Sequence, residues 1–117
     1  MIPSVIRIPH SLDLHDHQLV QSHSIILQTK ASCFPPFFLL HDLVNSSSPT
    51  PKFDVIDATA APGNKTTFLG DILRKRSLMS YGVIYRGTVF AFDRDPKRYK
   101  LLKSRCESYG VNNVLPD

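Results

Sequence analysis

Two apolar segments that end in acids, and the glycine turn between them, hold the residues of this 117-residue chain whose types and spacing could do chemistry. Phe53-Asp54-Val55-Ile56-Asp57 reads as a short strand closing on a carboxylate. Ala58-Thr59-Ala60-Ala61-Pro62-Gly63-Asn64-Lys65-Thr66-Thr67 follows as a tight turn of small residues opening into a helix. Thr88-Val89-Phe90-Ala91-Phe92-Asp93 is a second strand with an acid at its tip. A parallel sheet that presents two such tips around a glycine turn suits a nucleoside cofactor at its carboxyl edge. The turn lets bare backbone approach the ligand, and the carboxylate of Asp93 can accept hydrogen bonds from both ribose hydroxyls.

The remaining elements are those needed to hold these tips in place. After the turn, Phe68, Leu69, Ile72 and Leu73 recur at helical spacing and predict a helix through about Arg76. Ser77–Gly87 has no clean period and is read as an inserted loop. Asp95 is a candidate N-cap with Pro96 at the first helical position. Tyr99, Leu102, Cys106 and Tyr109 make one apolar stripe, and Gly110 closes the helix. Val111–Leu115 starts a third strand. The order strand, helix, strand, helix, strand predicts an α/β fold whose helices cross over between parallel neighbours. Upstream, Ser24–Gln28 reads as a brief strand or extended arm, and tandem Pro35-Pro36 places a helix start near Pro36. Asn45–Pro51 is a polar, proline-broken linker. The expected division is therefore 1–50, an amino-terminal extension with a helix and linker, and 51–117, a cofactor-binding half-domain.

Composition sets the outer limits. The length suits one small domain and falls short of the roughly 150 residues of a full doubly wound enzyme. Phe37-Phe38-Leu39-Leu40 is the longest apolar run considered, far below a membrane span, and no charged-then-apolar leader is legible. Cys33 and Cys106 stand in no metal-like spacing, which favours free thiols in a reducing compartment. His15, His17 and His23 with Asp16 carry ligand-type side chains, but they lie outside regular structure and lack a second cluster, so no metal is expected. Charge is uneven: three Lys/Arg against five Asp through Ala58 give −2, while eleven against five acids from Thr59 onward give +6. The basic half is compatible with a polyanionic partner and equally with solvated helix faces.

The turn itself admits three readings. An ordinary strand-to-helix loop uses glycine to relieve backbone strain. A phosphate loop is echoed by Gly63, Lys65 and Thr66, but Asn64 stands where that signature has glycine before lysine, and Ala58 replaces its leading glycine. The third reading is S-adenosylmethionine, whose amino-acid tail and sulfonium need close backbone approach and no pyrophosphate cradle.

Asp57–Thr66 resembles the cofactor motif of the NOP/Sun (RsmB-like) RNA cytosine-5 methyltransferases, an Asp-x-Cys-Ala-Ala-Pro-Gly-x-Lys-Thr run. Leu27–Pro35 resembles an upstream segment of the branch acting on large-subunit ribosomal RNA, Phe90–Arg98 its ribose-binding segment, and Asp13–His17 has a counterpart there as well. The resemblance covers about residues 12–115. It implies a Rossmann-like S-adenosylmethionine-dependent methyltransferase fold, incomplete here, with about three strands and flanking helices. It also implies S-adenosylmethionine as cofactor, RNA (rRNA) as partner, no membrane and no metal, and a nuclear or nucleolar location. The implied cofactor contacts are Thr59, Ala60, Ala61, Pro62, Gly63, Asn64 and Lys65, with Asp93 and Arg98; Lys65 and Arg98 also fit ordinary helix-surface positions.

The sequence departs from the family pattern at several points. Thr59 replaces the usual cysteine of the motif, and Asp93 follows Asp57 by 36 residues because of the insertion. The family attacks C6 of the target cytosine with a cysteine in a Thr-Cys motif and releases product with one in Asp-Pro-x-Cys. Neither motif is present, and Cys33 and Cys106 read as structural. The expectation is a cofactor-binding segment without the catalytic cysteines, inactive by itself. The rival readings are a nucleotide-binding module with a degenerate phosphate loop and a non-catalytic RNA-binding remnant. Arg74, Lys75, Arg76, Lys100, Lys103 and Arg105 are the basic residues that could meet RNA.

Overall fold

Three short apolar segments pair as one parallel sheet: β1 (Val55–Asp57), β2 (Val89–Ala91) and β3 (Val114–Pro116), in that order across the sheet. The computed structural model describes residues 5–45, 54–80 and 87–117. The helices are α1 (Gln18–Gln21), α2 (Lys30–Asn45), α3 (Asn64–Ser80) and α4 (Pro96–Ser108). Val55, Val89 and Val114 lie in register, and Ile56, Phe90 and Leu115 form the next row. Because successive strand residues point to opposite faces, the first row looks one way and the second the other. The valine row and Ala91 are buried with Leu69 and Leu73 of α3, Leu102 and Cys106 of α4, and Leu40 of α2. Across the sheet, Ile56 is 71% exposed and Leu115 50%. Both crossover helices thus cover the same face, and the carboxyl ends of β1 and β2 emerge together at one edge.

The helix α4 follows its sequence signals closely. Asp95 caps it by accepting from the amides of Lys97 and Arg98, with Pro96 in the first turn. Leu102 and Cys106, one turn apart, are its buried residues, and Gly110 follows the C-cap at φ +63°.

Other boundaries differ from expectation for identifiable reasons. Helix α2 starts at Lys30 rather than near Pro36 and carries Pro35 and Pro36 in its interior. Thr29 begins it: the Ser32 amide donates to the Thr29 carbonyl at 2.9 Å and lies 3.3 Å from its hydroxyl. A proline inside a helix leaves the carbonyl four residues back without its amide donor. For Pro36 that carbonyl belongs to Ser32, and the Gln28 side-chain amide fills the place at 3.0 Å. Ser24–Gln28 forms no strand. Helix α3 runs to Ser80, so the first four residues of the expected loop Ser77–Gly87 are helical, while 81–86 lie outside the described residues. Most of the linker expected at Asn45–Pro51 lies outside them too, as does Phe53 at the head of the first strand. The third strand begins at Val114 rather than Val111.

The chain is pinned on both sides where it enters β2. The buried side chain of Asn113 donates to the carbonyls of Gly70, at 2.9 Å, and Gly87, at 3.2 Å, while Asp54 accepts from the Thr88 amide at 2.8 Å. The chain entering β2 is thereby held against α3 and β3. Helix α3 approaches β3 so closely that a Cβ on Gly70 would lie 2.7 Å from Val111 Cγ1 and 2.9 Å from Val114 Cγ2.

Candidate functional site

The site grows from the two strand ends. Phe92, just past β2, donates its amide to the Asp57 carbonyl at 2.8 Å and accepts from Ala60 at 3.0 Å, which zips the two exits together. The carboxylate of Asp57 then organises its own turn. One oxygen accepts from the Thr59 amide at 3.2 Å and the other from the Thr66 hydroxyl at 2.8 Å. Thr66 is fully buried, and its hydroxyl also lies 3.0 Å from the Ala60 carbonyl. Thr67 fixes the first turn of α3 by donating to the Gly63 carbonyl through both its amide, at 2.8 Å, and its hydroxyl, at 2.9 Å.

Asp93 reaches across to this turn. Its Oδ2 accepts from the Ala61 amide at 3.2 Å, and its Oδ1 accepts from Asp95 in its own loop at 3.1 Å. Gly63 and Asp93 therefore share one edge of the molecule, as a shared ligand site requires. Arg98 completes the contact, its Nη2 lying 3.4 Å from Asp93 Oδ2 and 2.5 Å from the Ala61 carbonyl. The Asp93 side chain is only 4% exposed, whereas that of Arg98 is 55% exposed, so the ion pair between them is weakly held.

Of the other residues singled out from the sequence, Ala60 and Ala61 are buried in the core while Thr59, Pro62 and Lys65 are exposed. Gly63 is required twice. Its φ of +108° is one that side-chain-bearing residues rarely adopt, and a Cβ there would sit 3.1 Å from Leu102 Cδ1. The space glycine leaves is therefore taken up by α4. Asn64 accepts from Arg105 at 3.0 Å through its side-chain oxygen.

Sequence reasoning missed the part played by α4 side chains. Arg105, read as a cation available to RNA, donates to Pro62 and Asn64 of the turn. Leu102, read only as core, seats Gly63. A signal was present, since Arg98, Leu102 and Arg105 share one helical face, but nothing local says that this face meets the turn. Of the remaining basic residues, Arg74, Lys100 and Lys103 are exposed, and the side chains of Lys75 and Arg76 lie outside the described residues.

The histidines go separate ways. His15 pairs with Asp13 at 2.6 Å, His17 caps α1, and His23 packs at a tilt against Tyr109 with ring centroids 5.0 Å apart. Among the described residues no three His, Cys, Asp or Glu side chains converge as a metal site would require. Cys33 and Cys106 are both buried and free. Burial pushes both thiols up, with Glu107 adding to the effect at Cys106, so neither is poised as a nucleophile.

Parallel strands, crossover helices on one face and a glycine turn meeting a neighbouring acid define an incomplete Rossmann-like fold of the methyltransferase type. The crystal structure of PH0851 matches 91% of the chain with a TM-score of 0.62 and 27% identity, over 20% of that structure's chain. No family model matches the chain. It is 37% identical over 112 residues to a mouse 28S rRNA (cytosine-C(5))-methyltransferase and 34% identical over 113 residues to the fission-yeast 25S rRNA (cytosine-C(5))-methyltransferase rcm1. An Arabidopsis thaliana 25S rRNA (cytosine-C(5))-methyltransferase, NSUN5, is 28% identical over 113 residues. These alignments take in 96%, 97% and 97% of this chain and 20%, 21% and 17% of the relatives, so the chain spans about a fifth of the curated relatives it matches. Along nearly its whole length the chain is thus similar to one segment of these rRNA (cytosine-C(5))-methyltransferases.

Proposed function

We propose that this chain is the cofactor-binding segment of an S-adenosylmethionine-dependent RNA (cytosine-5) methyltransferase that acts on rRNA and works in the nucleolus. The relatives' names support the reaction and the RNA substrate, and the observation that carries the site is the hydrogen bond from the Ala61 amide to Asp93, which joins turn and acid at one sheet edge. The residues fit the cofactor. The first amides of α3, those of Asn64, Lys65 and Thr66, have no acceptor within the helix and suit a carboxylate. Each oxygen of Asp93 keeps a lone pair beyond the amide it already holds and can accept from a ribose hydroxyl. Arg98, whose Nη2 lies 3.4 Å from Asp93 Oδ2, borders the same place and would meet the ribose beside that carboxylate. Thr59, Ala60, Ala61, Pro62 and Lys65 form the remaining wall. The cofactor supplies an activated methyl group on sulfonium, and this chain's own part is binding and orientation. The buried thiols of Cys33 and Cys106 leave the cytosine chemistry to residues outside this segment.

The phosphate-loop alternative meets an obstacle at Thr66. That signature needs the hydroxyl to face a nucleotide-bound metal ion, and here it is buried between Asp57 and the Ala60 carbonyl. Calorimetry separates the two: S-adenosylmethionine binds and ATP does not. Binding of ATP alone overturns the assignment. A non-catalytic remnant is separated from an enzyme by methyl transfer to rRNA in a protein spanning the full length of the relatives.

A further inference from the structure

Helix α4 supports the turn through three side chains spaced i, i+4 and i+7, all on one helical face. Arg98 donates to the Ala61 carbonyl, Leu102 packs where a Gly63 side chain would be, and Arg105 donates to the Pro62 carbonyl at 3.3 Å and to Asn64 Oδ1 at 3.0 Å. The contact of Arg105 has a directional consequence. The Pro62–Gly63 peptide is trans, so its carbonyl and amide point in opposite directions. Holding the Pro62 oxygen against α4 aims the Gly63 N–H away from it, and among the described residues that N–H meets no backbone acceptor. The same guanidinium fixes the Asn64 side chain at the start of α3. One arginine thus settles which way the donors of the turn face.

We infer that Arg105 is a positioning residue for the ligand site: it turns the Gly63 amide, together with the α3 amides beside it, toward an anionic group of the bound molecule. This rests on the cofactor reading above, in which that group is the carboxylate of the methionine moiety. Arg105 itself does not touch the ligand. Its spacing from Arg98 divides the work, one arginine for each carbonyl on either side of Pro62.

The test uses the whole chain with Arg105→Gln, Arg105→Lys and, as a control for loss of charge on the same helix, Lys103→Gln. Two readouts are taken: the Gly63 amide resonance without ligand, and the dissociation constant for S-adenosylmethionine. Arg105→Gln is expected to shift the Gly63 resonance and weaken S-adenosylmethionine about tenfold. Arg105→Lys, which keeps a donor but loses the fork, falls between Arg105→Gln and the parent, and Lys103→Gln matches the parent on both readouts. An unmoved Gly63 amide in Arg105→Gln, or an affinity loss as large in Lys103→Gln, overturns the inference. If the parent chain binds no S-adenosylmethionine, the cofactor reading falls by itself, and the Gly63 amide still decides whether Arg105 orients the turn.

Discussion

Asp57 and Asp93 stand at the tips of neighbouring strands, and the structure uses them in opposite ways. Asp57 ties down its own turn, bonding to Thr59 two residues on and Thr66 nine residues on. Asp93 fastens its neighbour's turn through Ala61, 32 residues away in sequence. Their partners also differ in what remains if the acid is lost. Thr66 still has the Ala60 carbonyl, and the Thr59 amide belongs to an exposed residue that water can serve. The Ala61 amide belongs to a residue buried in the core and has no second acceptor among the described residues. An unsatisfied buried donor costs more than a lost bond whose partners can re-pair. The same residue type at the same kind of strand end is thus a local brace in one case and a long-range latch in the other.

The most drastic way to break this contrast is to remove the seat that brings Asp93's loop against the turn. Leu102 is fully buried and fills the space beside Gly63. Leu102→Ala is expected to lower stability by about 2–5 kcal/mol, the range for a leucine cavity in a core, measured by denaturant unfolding. A loss under about 1 kcal/mol would mean that α4 does not shape the turn. The two acids can then be compared directly. Asp93→Ala should cost about 1–3 kcal/mol of stability through the stranded Ala61 amide. It should also weaken S-adenosylmethionine at least tenfold, about 1.4 kcal/mol by calorimetry. Asp57→Ala should cost about 1 kcal/mol, because both of its donors find other partners. Equal losses from the two variants would erase the distinction, and an unchanged dissociation constant in Asp93→Ala would remove Asp93 from the ligand site.

This asymmetry also accounts for what the sequence disclosed. The turn was legible because its bonds are local: Asp57, Thr59, Gly63 and Thr66 sit within ten residues, and small residues around a glycine announce a sharp bend. Helix α4 was legible from Asp95, Pro96 and its apolar stripe, all internal to the element. The start of α2 was misread because tandem prolines normally exclude a helix interior, and the compensation comes from Gln28, a side chain with no recognisable signature. The tie of Arg105 to Pro62 and Asn64 was hidden for a different reason. An arginine on a basic helix has the same pattern whether it faces solvent or another segment 41 residues away. Periodicity assigns a residue to a face of its element, and tertiary docking decides what that face meets.

The finest test concerns the loop that carries Asp93. Asp95 contributes to it in two separable ways: its backbone amide donates to Asp93 Oδ1, and its side chain caps α4 through the amides of Lys97 and Arg98. Asp95→Ala removes only the cap and should cost about 1 kcal/mol. Asp95→Asn preserves the capping oxygen and should cost only a few tenths of a kcal/mol, since asparagine caps about as well as aspartate. Neither variant removes the amide that holds Asp93, so the affinity for S-adenosylmethionine should stay within about twofold of the parent in both. If Asp95→Ala weakened the cofactor as much as Asp93→Ala, the latch would lie in the cap of α4 rather than in the carboxylate of Asp93, and the contrast between the two strand-end acids would have to be redrawn around the helix.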